Sequence, residues 1–115
     1  MLTRPLIFLD TETSGLNPES GCEVIEIYAK AVNYWDFSNH TAGHFHAYIK
    51  PTRPDKAEDG ALKAIGEGWN IANTKGLDPK VVWQKFHDWV ASVNEGRGFM
   101  NSPIICAYNA EFDMR

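Results

Sequence analysis

The pattern of apolar and polar residues predicts a chain that alternates between strands and helices. Four large apolar residues, Leu6 to Leu9, follow Pro5 and precede a polar segment that runs to Gly15. This run is too short for a core helix and ends in turn-forming residues, so it predicts a buried strand. A similar apolar run over residues 103–108 predicts another buried strand near the far end of the chain.

Two further strands are predicted where side-chain character alternates with a period of two residues. Over residues 23–32, one face carries the apolar residues Ile25, Ile27, Ala29 and Ala31, and the other carries Val24, Glu26, Tyr28 and Lys30. The third strand places Phe45, Ala47 and Ile49 opposite His44, His46 and Tyr48. Such one-sided patterns are typical of antiparallel strands with one wet face. The first three strands therefore predict an antiparallel meander.

Helical spacing is clearest after Asp78, which is a good N-cap because Pro79 follows at the first helical position. One face of this helix collects the apolar residues Val82, Phe86, Trp89, Val90 and Val93. These aromatic side chains could stack on nucleobases, but their spacing favours packing against the sheet. A short helix is predicted at residues 61–65, ended by Gly66, and residues 67–77 fit no single pattern.

Two carboxylates, Asp10 and Glu12, follow the first predicted strand. Successive side chains alternate in extended backbone, so both carboxylates project to one side while Thr11 points away. Like charges held side by side repel, and an all-oxygen pair suits a hard divalent cation such as Mg²⁺ or Mn²⁺. Gly15 would allow close approach of a ligand or a positive φ. The same residues are also ordinary turn formers, so a solvated loop is the alternative.

A third carboxylate follows the last predicted strand. Asn109 is a good N-cap, which places Asp113 just past the first turn of a helix. The motifs Asp10-x-Glu12 and Asn109-Ala-x-Phe-Asp113 together resemble the DEDD superfamily of 3'-5' exonucleases. Within it the chain is most similar to the group of proofreading epsilon subunits of DNA polymerase III. Residues 23–27 and 45–51 resemble the second and third strands of that family, so the resemblance covers nearly the whole chain.

The resemblance implies a ribonuclease H-like α/β fold. Its mixed sheet would have strand order 3-2-1-4, with the first and fourth strands adjacent and parallel and helices on the flanks. The fifth strand and last helix of the family would be missing, so residues 1–115 are expected to form a single, incomplete exonuclease domain. Ligands in such sheets collect beyond the carboxyl ends of the parallel strands.

The resemblance also assigns roles to individual residues. Asp10, Glu12 and Asp113 would be catalytic and would hold two Mg²⁺ or Mn²⁺ ions. Contacts to the terminal nucleotide would come from Thr11, Thr13, Leu16, Asn109 and Phe112. For Asn109 a role as helix N-cap is an equally good interpretation, and for Phe112 a role as a core anchor is. Tyr108 departs from the family, which commonly has histidine before the asparagine.

The last motif of the family, a histidine followed five positions later by an aspartate, has no counterpart in this sequence. None of the four histidines has an aspartate at that spacing. The general base and the fourth carboxylate of the family are therefore missing, which implies weak or no nuclease activity. Two hypotheses remain: a metal-dependent exonuclease of which this chain is a fragment, or a non-catalytic module that retains metal binding, nucleic-acid binding or an interaction role.

Composition restricts the partners of the chain. The formal net charge of −4 argues against a broad basic surface for nucleic acid, although not against a nuclease that grips one 3' end. The expected partners are the 3' end of single-stranded DNA, a polymerase subunit, and a second copy pairing along the 103–108 edge. No secretory signal or membrane span is recognisable, so a cytoplasmic location is expected.

Cysteine and histidine give weaker signals. Cys22 and Cys106 are far apart and lack a metal-binding spacing, so both are expected to be free thiols, with Cys106 buried in its strand. His44 and His46 share a face of the third strand. Two histidines alone are weak support for a metal site, and two exposed strand histidines are the plainer interpretation.

Overall fold

A computed structural model of the chain describes residues 5–33, 41–94 and 103–107. The strands and helices follow the predicted order. They are β1 (Pro5–Thr13), β2 (Val24–Asn33), β3 (Thr41–Tyr48), α1 (Asp59–Ile65), α2 (Glu67–Lys75), α3 (Pro79–Val93) and β4 (Ile104–Ala107). Short 3-10 turns at Pro18–Ser20 and Pro54–Lys56 lie in the connections that follow β1 and β3.

The four described strands form one mixed sheet of order β3-β2-β1-β4, as predicted. β1 and β2 are antiparallel, as are β2 and β3, whereas β4 runs parallel to β1. Among the described strands, β4 pairs only with β1 and therefore lies at an edge. Self-association along residues 103–108 stays a prediction.

The core lies between one face of the sheet and α3. Ile7, Ile27 and Ala29 are fully buried on this face, and Val82 of α3 is equally buried against them. Asp78 caps the helix by accepting a hydrogen bond from the backbone N–H of Lys80 at 2.9 Å. The predicted packing role of the α3 apolar stripe is therefore confirmed.

Aromatic contacts join α3 to β3. The ring of Phe45 lies 5.4 Å from that of Phe86 and 6.0 Å from that of Trp89, measured between centroids. The contact between Phe45 and Phe86 is edge-on, which is a favourable geometry for an aromatic pair. These side chains pack against the core, which leaves them poorly placed to stack on nucleobases.

Several boundaries and one burial differ from those expected. The helix predicted at residues 61–65 begins at Asp59, and β3 ends at Tyr48, before the predicted Ile49. The ambiguous residues 67–77 contain α2, and β1 continues past the predicted Leu9 to Thr13 because β2 pairs with it over that length. Cys106 was expected to be buried, but it is only partly buried because it lies beside Phe8 on the solvent-facing side of the sheet. Both cysteines are free thiols, as predicted.

The connection from α2 to α3 is attached to the end of β3. Leu77 donates its N–H to the Tyr48 carbonyl at 3.0 Å, and its own carbonyl accepts from the Lys50 N–H at 2.8 Å. A Cβ on Gly76 would lie 2.3 Å from the Ala72 carbonyl oxygen and 2.5 Å from the Lys50 nitrogen. Glycine therefore allows the end of α2 to approach the backbone that follows β3.

The sheet face opposite α3 is mixed polar and aromatic. The register sets Asp10 against Tyr28 and Glu12 against Glu26 across β1 and β2. Directly opposed residues in antiparallel strands share a face, so the acidic pair and part of the β2 polar row lie together. Within the described ranges, no helix is long and apolar enough to cross a membrane.

Candidate active site

Asp10 and Glu12 lie within the last part of β1 and are both exposed. Two residues along a strand are about 6.6 Å apart between Cα atoms, so their carboxylates project to the same side as neighbours. The register of β1 against β2 shifts between Glu12 and Thr13. Such irregularities re-aim side chains and often border functional sites. The predicted shared orientation of the two carboxylates is therefore present.

An open cleft of about 1080 Å³ surrounds this pair. Its lining comes from residues 8–13 of β1, Tyr28 and Lys30 of β2, and Cys106 and Ala107 of β4. Lys30 brings a cation to a wall that otherwise carries two carboxylates. The cleft can therefore accept a ligand that has both an ionic group and an apolar surface.

The electrostatics of the cleft suit a bound cation. Partial burial, the neighbouring Asp10 and the neighbouring Glu26 raise the pKa of Glu12, in that order of importance. A divalent ion would offset this repulsion, and carboxylate oxygens are the ligands that Mg²⁺ and Mn²⁺ prefer. Within the described ranges, no three His, Cys, Asp or Glu side chains are placed to hold a metal together. The two β1 carboxylates fit a metal only as part of a larger ligand set.

Asp113, Asn109 and Phe112 lie outside the described residues, so their predicted roles remain proposals. The register shows where the described part of β4 ends relative to β1. Leu9 pairs with Ala107, the last residue of β4, one position before Asp10. The carboxyl end of β4 therefore lies beside the part of β1 that carries the two carboxylates.

The turn that follows β1 is held by several hydrogen bonds. Ser14 is fully buried, and its N–H and hydroxyl both bond to the backbone of Glu23 at 2.8 Å. The Thr13 hydroxyl donates to the Gly15 carbonyl at 2.8 Å. The Thr13 hydroxyl thus already has a partner within the chain. Leu16, at the tip, is 87% exposed and is available for the predicted contact with a nucleotide.

Glu58 is a structural partner of this turn that sequence reasoning missed. Its carboxylate accepts the Leu16 N–H at 2.8 Å, and its own N–H donates to the Ser14 carbonyl at 2.7 Å. A Cβ on Gly15 would lie 2.2 Å from the Glu58 carboxylate and 2.3 Å from the Cys22 sulfur. Gly15 therefore permits close packing with Glu58 and Cys22, and its φ is not positive as was considered. The partners are 42 positions apart, so no local sequence signal identified the contact.

The histidines of β3 are exposed, as predicted, but each has a partner on β2. His46 Nε2 lies 2.5 Å from the Glu26 carboxylate, and His44 Nδ1 lies 3.0 Å from the Tyr28 hydroxyl. The alternation of apolar and polar residues predicts that each of these residues lies on the solvent-exposed face of its strand. Only the strand register, which the sequence left open, shows that they meet.

The raised pKa of Glu12 leads to a prediction about the protein without metal. A carboxyl group whose folded pKa is raised above its ordinary value of 4.5 stabilises the fold below that pH, and this stabilisation is lost as the pH rises through the folded pKa. At pH 7 the charged side chain therefore lowers stability. We expect Glu12→Gln to raise Tm at pH 7 in EDTA, measured by circular dichroism, and to give no gain below pH 4.5.

The matched control for this prediction is Asp88→Asn, which removes one negative charge from the exposed surface of α3. A gain in Tm for Glu12→Gln that is equal at both pH values would contradict the electrostatic explanation. An equal gain for Asp88→Asn would show that net charge, rather than the local cluster, sets the effect.

Comparison with known proteins identifies the family. A family model described as "Exonuclease", that of RNase T, matches residues 7–114, nearly the entire chain. The chain belongs to the RNase T exonuclease family. Both β1 carboxylates and the predicted third carboxylate, Asp113, fall within the matched range. The resemblance read from the two acidic motifs is thereby confirmed at the level of the family.

Curated proteins similar to the chain include DNA polymerase III epsilon subunits. It is 34% identical over 110 residues to the DNA polymerase III subunit epsilon of Rickettsia typhi, covering 95% of this chain and 41% of the relative. The corresponding subunit of Buchnera aphidicola subsp. Acyrthosiphon pisum is 35% identical over 112 residues, covering 94% of this chain and 40% of the relative. The chain thus spans about two fifths of the length of these relatives.

Solved exonuclease structures share the fold. The zinc-bound complex of E. coli ExoI with single-stranded DNA matches with a TM-score of 0.74 and 21% identity, over 96% of this chain and 22% of that one. The nuclease domain of 3'hExo, a DEDDh family member bound to rAMP, matches with a TM-score of 0.70 and 18% identity, over 96% of this chain and 54% of that one. The ribonuclease H-like fold class is therefore confirmed.

Proposed function

We propose that this chain is part of a metal-dependent 3'-5' exonuclease that hydrolyses phosphodiester bonds at the 3' end of single-stranded DNA. The observation that carries the proposal is the exposed pair Asp10 and Glu12, placed side by side at an open cleft in a member of an exonuclease family. A relative of the same fold was crystallised with single-stranded DNA, which supports this class of substrate.

The proposed site uses three acids. Asp10 and Glu12 would hold Mg²⁺ or Mn²⁺, and Asp113 would complete the set from the segment after β4. Two such ions, when bound, would supply a hydroxide near neutral pH and would stabilise charge on the attacking and leaving oxygens. The carboxylates would repel the scissile phosphate if no cation lay between them, so their role would be to hold the ions in position.

The terminal nucleotide would contact the turn after β1. Leu16 is 87% exposed and would offer an apolar surface to a base, while Thr11 and Thr13, which line the cleft, would offer backbone or hydroxyl contacts to the nucleotide. Asn109 and Phe112 would shape the opposite wall. A polymerase partner is part of the proposal, because the two curated relatives described above are DNA polymerase III epsilon subunits. A cytoplasmic location is proposed as well.

Hydrolysis of a 5'-labelled single-stranded oligonucleotide tests this proposal. We expect slow, Mn²⁺-dependent shortening from the 3' end and no reaction with an oligonucleotide whose 3' end is blocked. The family's histidine motif is absent from this sequence, and a missing general base costs about a hundredfold to ten-thousandfold. Single-turnover conditions with excess protein are therefore required, and added imidazole should accelerate the reaction.

Three outcomes distinguish the hypotheses. Mn²⁺ binding with slow, imidazole-accelerated shortening supports the proposal. Mn²⁺ binding without any shortening favours a non-catalytic module. Absence of Mn²⁺ binding contradicts the assignment of the β1 carboxylates to a metal site.

A further inference from the structure

One row of side chains crosses three strands next to the proposed metal site. Glu12 lies directly opposite Glu26 on β2, and Glu26 lies directly opposite Tyr48 on β3. Directly opposed side chains in antiparallel strands are separated by about 5 Å at Cβ, and like charges in this position are destabilising. The pair of Glu12 and Glu26 therefore needs an explanation beyond ordinary sheet pairing.

Glu26 is held by β3 rather than by β1. Its carboxylate lies 2.5 Å from His46 Nε2 and accepts a hydrogen bond from the Tyr48 hydroxyl. Burial raises the pKa of Tyr48 most, and the charge and hydrogen bond of Glu26 raise it further. The side chain of Glu26 is 22% exposed, whereas that of His46 is 45% exposed. Two partners on the same neighbouring strand fix the Glu26 carboxylate while leaving its negative charge close to Glu12.

The contact between the Glu26 carboxylate and His46 lies towards β3, on the side of β2 away from Asp10 and Glu12. Within the described residues, Glu26, His46 and Glu12 are not placed to share a metal ion, and no other three His, Cys, Asp or Glu side chains are. The contact between Glu26 and His46 is exposed, and exposed contacts of this kind add little to stability, so stability alone does not explain a carboxylate opposite Glu12.

We propose that Glu26 is a positioning residue, held by His46 and Tyr48, whose negative charge strengthens cation binding by Asp10 and Glu12 without contacting the ion. The proposal rests on the metal site of the proposed function. Groups that support metal ligands from outside typically change metal affinity about tenfold to a hundredfold. Because the cleft is open to solvent, we expect the lower end of that range.

Isothermal titration of Mn²⁺ into the chain tests this inference. Glu26→Gln should weaken Mn²⁺ binding about tenfold. Glu26→Asp, which keeps the charge, should bind Mn²⁺ more tightly than Glu26→Gln does. Asp88→Asn is the control for net charge and should match the unsubstituted chain, since Asp88 is exposed on the helix that packs against the other face of the sheet.

Salt dependence separates a charge effect from a structural one. The screening length falls from about 10 Å at 0.1 M salt to about 3 Å at 1 M. The ratio of Mn²⁺ affinities between the unsubstituted chain and Glu26→Gln should therefore shrink at 1 M salt. A purely structural loss would persist. Near-UV circular dichroism of Glu26→Asp and Glu26→Gln verifies that both variants retain the packed core.

The outcomes are distinguishable. If the unsubstituted chain binds Mn²⁺ and Glu26→Gln binds it equally well, the inference is wrong and the proposed function stands. If affinity falls in Glu26→Gln but the ratio is independent of salt, the inference is also wrong, because the effect is not electrostatic. If the unsubstituted chain binds no Mn²⁺, the proposed metal site and this inference fall together.

Discussion

Asp10→Asn is expected to remove Mn²⁺ binding by the β1 pair and to slow hydrolysis at the 3' end by about a thousandfold or more. A bound metal stabilises transition-state charge by several kcal/mol, and each 1.36 kcal/mol corresponds to about a factor of ten. Asparagine preserves the shape of the side chain and removes its charge. The fold should be retained because Asp10 is exposed. Isothermal titration with Mn²⁺ and a single-turnover assay measure the two effects.

The control for Asp10→Asn is again Asp88→Asn, which should leave both measurements unchanged. Thermal unfolding in EDTA should show that Asp10→Asn is folded. If Asp10→Asn bound Mn²⁺ as tightly as the unsubstituted chain does, the metal would have to bind elsewhere. A loss of hydrolysis without a loss of Mn²⁺ affinity would give Asp10 a role in the reaction other than metal binding.

Gly76→Ala is expected to lower the free energy of unfolding by about 1–3 kcal/mol, the usual cost of overpacking. Its Cβ would meet the Ala72 carbonyl oxygen and the Lys50 nitrogen, both closer than 3 Å. Both atoms belong to the backbone and both are hydrogen-bonded: the Ala72 carbonyl accepts the Gly76 N–H at the end of α2, and the Lys50 N–H donates to the Leu77 carbonyl. Neither can move aside as a flexible side chain would. Urea unfolding followed by tryptophan fluorescence measures the change.

Gly60→Ala is the matched control for this substitution. Gly60 lies in α1, and a Cβ added there meets nothing within 4 Å. Alanine in a helix is favoured over glycine by about 0.5–1 kcal/mol, so this variant should be slightly stabilised. Equal effects of the two substitutions would show that backbone crowding at Gly76 is not the cause.

The sheet was largely predictable because its physical signals are local. Alternation in β2 separates Ile25 and Ile27 from Glu26 and Tyr28, and the structure buries the first pair completely. The N-cap Asp78 marked the start of α3 in the same way. The order of the strands, however, came from the family resemblance, because alternation shows which face is buried and not which strand is the neighbour.

The parts that were missed depend on contacts between distant segments or on weak local preferences. Helix α2 contains Gly68, Asn70 and Asn73, which have low helix propensity, and it is formed where tertiary packing compensates. Its buried residue, Ala72, is too small to create a strong apolar pattern. The pairing of His46 with Glu26 required the register of β2 and β3. The predicted convergence of Asp113 with the β1 carboxylates stays a prediction.

The hydrogen bond between Glu58 and Leu16 couples two parts of the molecule thermodynamically. A ligand that orders the turn at Leu16 would also stabilise the segment around Glu58, and the reverse must hold by the same amount. Under the proposed function, sequence changes between β3 and α1 would therefore alter the binding of the terminal nucleotide without changing the carboxylates of β1.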